Sequence, residues 1–524
     1  MCIRDRAWAV FFYVQVHVVP RSFAGFKLTV PWWRYAMNQP AVILHYLRLS
    51  LWPHPLNLDY YWPVAKTLRP LIPGFLAVGA MLGFTCWAYF RKPAISFLLL
   101  FFFFILAPTS SFMPILDLAV EHRMYLPLAV VILGLVLGVF HTLQFVTQRE
   151  IITARAVRMI AMVVLASMLS GAGAMTYLRN MDYQDSLDLW GDAVTKSPGN
   201  PRAHHNFGYY LAEAGYSQQA EKEYRIALEL SPNTPLFRAN FGLFLSRQTR
   251  HSEALEQLQL ANRLAPKDAK YLYYLGTAMT GAKLLKESIS CYQQAAQSDP
   301  DFSAIYYGMA VSYLQLNENN EALVNILKAS ELESEKAEYH YFNGLIALKM
   351  GTAPAALAAF HRAVKWDNQP ANLMAQIGWD LHEHGLDLES LEFLRRSIEV
   401  MPGSLDTQVR LAWVLVTTPI DSLRQPAEAQ TIVQRLIANA SYQPPALRDL
   451  QAISLAANGH YDGAVAILRE TLGKAKDAMD PYVPELEAHL KLFEKGLPYR
   501  YQPIHPFASV ADTTAPTLAP QPMN

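Results

Sequence analysis

A spacing of 34 residues between small side chains constrains this chain more than any other feature. Gly208, Gly242, Gly276, Ala310, Gly344 and Gly378 follow one another at that interval. A second series, Ala220, Ala254, Ser288, Ala322, Ala356 and Ser390, runs in the same register twelve residues later. A third position holds Pro232, Pro266, Pro300, Ser334, Asn368 and Pro402. Two small residues per period are what a pair of helices needs where they cross too closely for larger side chains. Six units, 201–234 through 371–404, stay in phase without an insertion.

A period of 34 is that of the tetratricopeptide repeat, a helix–turn–helix unit that stacks into a right-handed superhelix. Half a unit precedes the six, with Ser186, Trp190, Ala193 and Pro198 matching a second helix. A seventh begins at Leu405 with Ala412, carries an insertion around Thr417 to Pro426, and resumes at Ala429; an eighth has Ala452, Gly459 and Ala464. The repeats are therefore expected over 180–480, as a half unit (180–200), the six units in phase (201–404) and two divergent units (405–478). A helix over 481–496 would close the apolar end of the stack. From Leu497 the chain turns rich in Pro, Thr and Ala and reads as disordered to its end.

The first 179 residues read differently. Four stretches, about 70–90, 93–116, 124–148 and 159–178, are uncharged inside and bracketed by charge. Each approaches or exceeds the roughly 20 apolar residues that cross a bilayer, and backbone in lipid must be helical. A fifth stretch, 35–53, contains His45 and Arg48 and is open between crossing, lying at the surface and re-entering. Ala7–Val19 is apolar but too short to span. The opening Met-Cys-Ile-Arg-Asp-Arg is similar to translated adapter sequence, so the membrane portion is expected to be truncated at its N-terminus. The fold class expected is all-α: multi-pass transmembrane helices followed by tetratricopeptide repeats.

Orientation follows from basic residues in short loops. Arg91, Lys92, Arg149, Arg155 and Arg158 share one side, and Lys66, Arg69, Arg123 and Arg179 the other. If 35–53 spans, Arg21, Lys27 and Arg34 make the count eight against four. The richer side is cytoplasmic by this rule, which puts the repeats on the periplasmic side. Lys plus Arg equal Asp plus Glu at 44 each, which argues against nucleic acid as a partner. The three cysteines are too dispersed for a zinc site or a disulfide framework, and no metal site or cofactor is implied.

The first helix of each unit lines the groove of such a stack, and its fifth position reads His205, Ala239, Tyr273, Tyr307, Tyr341, Ala375 and Val409. Tyr209, Trp379 and Trp413 add aromatics at the ninth position. A groove lined by His205, Tyr209, Tyr273, Tyr307, Tyr341, Trp379 and Trp413 would suit an extended peptide of a protein partner, or sugar rings. The alternative is that these rings pack between neighbouring first helices. The histidines at 204, 205, 382 and 384 are expected against solvent or packing surfaces rather than a metal.

Tyr46-Leu-Arg-Leu-Ser-Leu-Trp-Pro-His-Pro-Leu-Asn-Leu-Asp-Tyr-Tyr61, Ala107-Pro-Thr-Ser-Ser111 and Glu121-His-Arg-Met-Tyr-Leu-Pro127 resemble the transmembrane and tetratricopeptide repeat-containing proteins and their bacterial relatives. Leu411-Ala-Trp-Val-Leu-Val-Thr-Thr-Pro419, Leu423-Arg424 and Gly496-Leu-Pro-Tyr-Arg500 are similar to the terminal repeats of bacterial members. The resemblance covers about 35–500. It implies a GT-C-type membrane fold that moves a sugar from a polyprenyl-phosphate carrier to a protein acceptor outside the cytoplasm, the lipid-linked donor being substrate rather than cofactor. The acidic first loop that carries catalysis in such enzymes has no counterpart here, so no catalytic residue is assigned. Glu121, His122 and Arg123, at a membrane boundary, and Asp59 are the remaining candidates. An Arg there would hold a lipid-linked phosphate, or the trio would serve as an interfacial anchor. Function is thus open between a membrane-tethered scaffold that recruits proteins and the C-terminal part of a sugar transferase. A polymerase or ligase acting on lipid-linked polysaccharide is a third reading.

Overall fold

The computed structural model describes residues 30–502, apart from 66, 108–109, 111–116, 149–152 and 441. The apolar stretch at 7–19 and the end of the chain from 503 lie outside the described residues, as does much of 107–116. The described residues form helices and turns only. They divide into two compact units, with the boundary between Phe244 and Leu245.

The first unit opens with α1 (Trp32–Leu51), α2 (Ile72–Arg91), α3 (Pro93–Leu106), α4 (Tyr125–Gln148) and α5 (Ala154–Asp182). Helices over Arg69–Arg91, Leu126–Phe145 and Arg155–Met181 are long and apolar enough to cross a membrane. The helix from Pro93 has 14 residues and ends at Leu106, about 21 Å at 1.5 Å per residue; most of the expected stretch beyond it, to 116, lies outside the described residues. Phe90, Leu76 and Val163 are 78%, 69% and 65% exposed, apolar faces of the kind that mark protein–protein or membrane interaction surfaces. α1 and α2 cross closely: a Cβ on Gly74 would stand 2.6 Å from backbone atoms of Pro40 and Ala41. Val42, Tyr46, Phe102, Leu106, Ala119 and Met124 form a core beside that crossing. The Tyr46 hydroxyl donates to the Val120 carbonyl (2.9 Å) and accepts from the Val120 N–H (2.8 Å).

After these apolar helices come α6 (Ser186–Lys196), α7 (Pro201–Glu213), α8 (Ser217–Leu230) and α9 (Pro235–Arg247). Asp185 caps α6 by accepting from the Leu187 N–H. Asn200 caps α7 by accepting from Arg202 and Ala203, with Pro201 as the first helical residue. Such caps satisfy donors that a helix start leaves unpaired.

The second unit continues the pairing with α10 (His251–Leu264), α11 (Ala269–Gly281), α12 (Leu285–Ser298), α13 (Ser303–Gln315), α14 (Asn319–Leu332), α15 (Ala337–Lys349), α16 (Ala353–Trp366), α17 (Pro370–Glu383) and α18 (Asp387–Val400). Then follow α19 (Leu405–Thr417), α20 (Pro426–Asn439), α21 (Pro445–Ala457), α22 (Tyr461–Asp477) and α23 (Val483–Phe493). The chain is all-α, apolar helices followed by helix pairs of the tetratricopeptide type.

Two features show how the period becomes structure. Tyr292 on α12 is fully buried, its ring inserted between Gly276 of α11 and Gly308 of α13; a Cβ on Gly276 would meet it at 2.8 Å. The turn inside each of the six in-phase pairs has one residue at positive φ: Gly215, Thr249, Lys283, Asn317, Gly351 and Gly385 recur 34 residues apart. Only half of these are glycine, so three turns carry a left-handed residue that costs on the order of 1 kcal/mol.

Leu497–Gln502, expected to be disordered, instead lie along α19 and α23. The Tyr501 N–H donates to the Thr417 carbonyl at 2.8 Å, and Tyr499 joins the apolar cluster of the last repeats. Two tyrosines with aromatic partners outweigh the composition around them.

Candidate functional site

The fifth-position residues sit deep. In the first unit His205 is 4% exposed, stacked on Phe237 with ring centroids 4.6 Å apart and paired through Nε2 with Asn240 at 2.9 Å. Burial pushes its pKa down to about 4, so the ring is neutral at pH 7. Tyr209 on the same helix is half-buried, edge-on to Tyr210.

In the second unit Tyr273 lies among Tyr274, Tyr292 and Phe302, and Tyr307 between Tyr339 and Phe342, both rings shut off from solvent. These two rings pack between helices, the alternative use their spacing left open. Burial raises both phenol pKa values.

Tyr341 on α15 is half-buried and donates its hydroxyl to Asp380 Oδ2 at 2.7 Å. Gln376 donates to the other carboxylate oxygen at 3.1 Å, and Arg410 reaches Gln376 Oε1 at 3.4 Å. Burial pushes Asp380 up to about 7, against the lowering effect of the Tyr341 and Gln376 hydrogen bonds. The Arg410 guanidinium also stands 5.6 Å from the Trp379 ring centroid, near enough for a cation–π contact. Trp379 donates Nε1 to Glu383 at 2.8 Å. Trp379 and Trp413, on first helices one repeat apart, are both half-buried.

Behind Trp379, His382 is 0% exposed and its Nδ1 pairs with Asp387 at 2.6 Å. Thr418 donates to the other Asp387 oxygen at 2.5 Å. The Asp380 and His382–Asp387 sets escaped sequence reading because the period marks small residues, not single polar ones. A lone acid and histidine on an otherwise apolar first-helix face were the only signal.

The transferase candidates fall in the first unit. Asp59 is 6% exposed and its Oδ2 pairs with Arg202 Nε at 2.5 Å, while Arg202 Nη2 pairs with Asp117 Oδ1 at 2.5 Å. Burial raises the Asp59 pKa, but the Arg202 hydrogen bond and charge outweigh that and hold it below the usual carboxylate value. Around this pair Lys196 donates to the Leu56 carbonyl at 2.7 Å, Asn57 to Ser197 at 2.8 Å and Asn200 to the Asp59 carbonyl at 3.3 Å. The loop after α1 is thereby tied to the turn between α6 and α7. Arg123 donates to the carbonyls of Leu118 (2.9 Å) and Asp117 and to the Tyr35 hydroxyl (3.3 Å). Glu121 and His122 lie with it on a short 3-10 turn.

His204 pairs with Glu223 at 2.5 Å, and His384 Nδ1 lies 2.8 Å from the Asp380 carbonyl. Among the described residues no three His, Cys, Asp or Glu side chains stand close enough to hold a metal ion.

No protein-family model matches the sequence. Solved structures of helical-repeat proteins are similar to part of it. PilF of Pseudomonas aeruginosa is 19% identical, over 40% of this chain and 95% of that one, with a TM-score of 0.33. PilW, described as a widely conserved type IV pilus biogenesis factor, is 19% identical over 38% of this chain and 91% of its own, at 0.33. YrrB, described as a TPR protein with an unusual peptide-binding site, is 20% identical over 35% of this chain and 95% of its own, at 0.28. Identities and scores this low carry no argument about function; the repeat assignment rests on this chain's own helix pairs and their spacing.

Proposed function

We propose that the chain is a membrane-anchored tetratricopeptide-repeat protein that binds extended peptide segments of protein partners on the face lined by its first helices. The reading rests chiefly on Trp379 and Trp413, two half-open indoles at the same position of successive repeats. Beside them Gln376 and Arg410, both half-buried, supply polar groups that peptide amides can use. Tryptophan and arginine carry a disproportionate share of binding energy because they combine large area with a polar handle. Three apolar helices long enough to cross a bilayer support the anchor, and the excess of basic residues on one side of the spans favours repeats on the periplasmic side.

The transferase reading draws less support. Asp59 is engaged by Arg202, and Arg123 donates to backbone carbonyls and Tyr35, so both act as ties within the fold.

A random peptide library panned against the detergent-solubilised full chain tests the proposal. Peptides should be enriched, and Trp379→Ala with Trp413→Ala should weaken the selected ones at least thirtyfold, the loss of about 2 kcal/mol expected of one anchor residue. Enrichment of nothing, or unchanged affinity in a variant of unchanged helicity, would overturn it.

A further inference from the structure

The stretch Leu497–Gln502 crosses the face that the proposed function assigns to partners. Successive residues of an extended chain point to opposite sides, and this stretch follows that rule. Tyr499 turns in against His489, with centroids 4.2 Å apart, and toward Trp413 at 6.2 Å. Tyr501 turns in against His382 at 4.6 Å. Arg500, between them, turns out to Asp421 at 3.0 Å and is exposed. One main-chain hydrogen bond, Tyr501 N–H to the Thr417 carbonyl, fixes the register.

The fit is incomplete. His382 Nε2 and Trp413 Nε1 are buried with no hydrogen-bond partner. Nδ1 of His382 faces the Asp387 carboxylate and holds a proton toward it. The two orphaned groups are the second ring nitrogen of His382 and the indole N–H donor of Trp413. An extended main chain supplies N–H and C=O groups that can complement both. Leaving such groups unpaired costs free energy that a better occupant would recover.

We propose that the groove end formed by α17, α19, α21 and α23 is a binding site for an extended peptide with two tyrosines flanking a basic residue, filled in cis by Leu497–Gln502 until such a partner displaces it. The inference rests on the peptide-binding reading above. A tethered occupant competes at a high effective concentration, so partner affinity is set by the tail as well as by the groove.

The test uses the full chain in detergent and a fluorescent peptide, Leu-Pro-Tyr-Arg-Tyr-Gln, with Leu-Pro-Ala-Arg-Ala-Gln as control. The Tyr499→Ala/Tyr501→Ala variant should bind the first peptide at least fivefold more tightly than the unaltered chain does, and the control should bind neither. Equal affinity for both proteins, or no binding to the variant, overturns the inference. If library peptides still bind in a manner that depends on Trp379 and Trp413, the groove reading survives that failure. Hydrogen exchange on the unaltered chain gives an answer even if the variant misfolds. The Tyr501 amide should exchange at least a hundredfold faster than the amides of α19, as a separable arm must. Exchange in step with α19 would make the stretch a permanent part of the fold and overturn the displacement.

Discussion

Replacing Arg202 by alanine isolates the tie between the loop after α1 and the helix α7. Arg202 bridges Asp59 and Asp117, each at 2.5 Å. Its removal leaves a 6%-exposed Asp59 carboxylate without its charge partner, retaining the Tyr61 N–H at 3.1 Å. Breaking one side of a buried pair costs about 3–5 kcal/mol. The Arg202 side chain is a third exposed, and solvent screening reduces the cost to about 2 kcal/mol. The pH dependence has a definite sign. Asp59 has a folded-state pKa below its unfolded one, so the tie stabilises above about pH 4 and is lost as pH falls through the folded value. In Arg202→Ala burial is opposed only by the remaining hydrogen bonds from Tyr61 and Asn200, and the deficit should be present at pH 7 and shrink toward pH 4. The assay is hydrogen exchange of the amides of 56–61 and 200–203, with a melting curve in detergent. Exchange in Arg202→Ala should be about thirtyfold faster at pH 7 for a local opening worth about 2 kcal/mol. Exchange equal to that of the unaltered protein at pH 7 would refute the tie.

Three further outcomes follow from the same geometry. Gly276→Ala puts a Cβ 2.8 Å from the Tyr292 ring, which Gly308 confines from the other side; overpacking of this kind should cost about 1–3 kcal/mol in thermal unfolding. Thr249→Gly removes a left-handed strain at φ 59° on an exposed turn and should raise the melting temperature, a net gain of roughly 0.5 kcal/mol after the added freedom of glycine in the unfolded chain. Asp380 has its pKa raised to about 7, so its contribution is complete below about pH 4 and is lost as pH rises through 7. Melting curves should show a decline of about 2–4 kcal/mol across that window, and Asp380→Asn should flatten it.

The repeats were legible because a close helix crossing admits only small side chains, and that requirement recurs at a fixed interval. The apolar helices were legible by length. What the period does not encode is depth. Tyr273 and Tyr307 share a position with Tyr341, yet the first two are enclosed by Phe302, Tyr339 and Phe342, whereas Tyr341 reaches Asp380. Those neighbours lie outside the repeat signature, so position alone cannot separate a groove ring from a packed one. Asp59 and Arg202 are 143 residues apart, and no local pattern joins them. Tyr499 and Tyr501 were hidden by the proline, threonine and alanine that follow, since composition averages over the two rings that hold the stretch in place.

Photo-crosslinking in native membranes is the most direct measurement of a peptide-binding groove held at a lipid surface. p-Benzoylphenylalanine would replace either Trp379 on a first helix or Val324, 68% exposed on a second helix. Protein adducts are expected from position 379 and few or none from 324, all remaining with the membrane after alkaline carbonate extraction. Equal adducts from the two positions, or release of the chain into the aqueous fraction, would contradict a membrane-held groove.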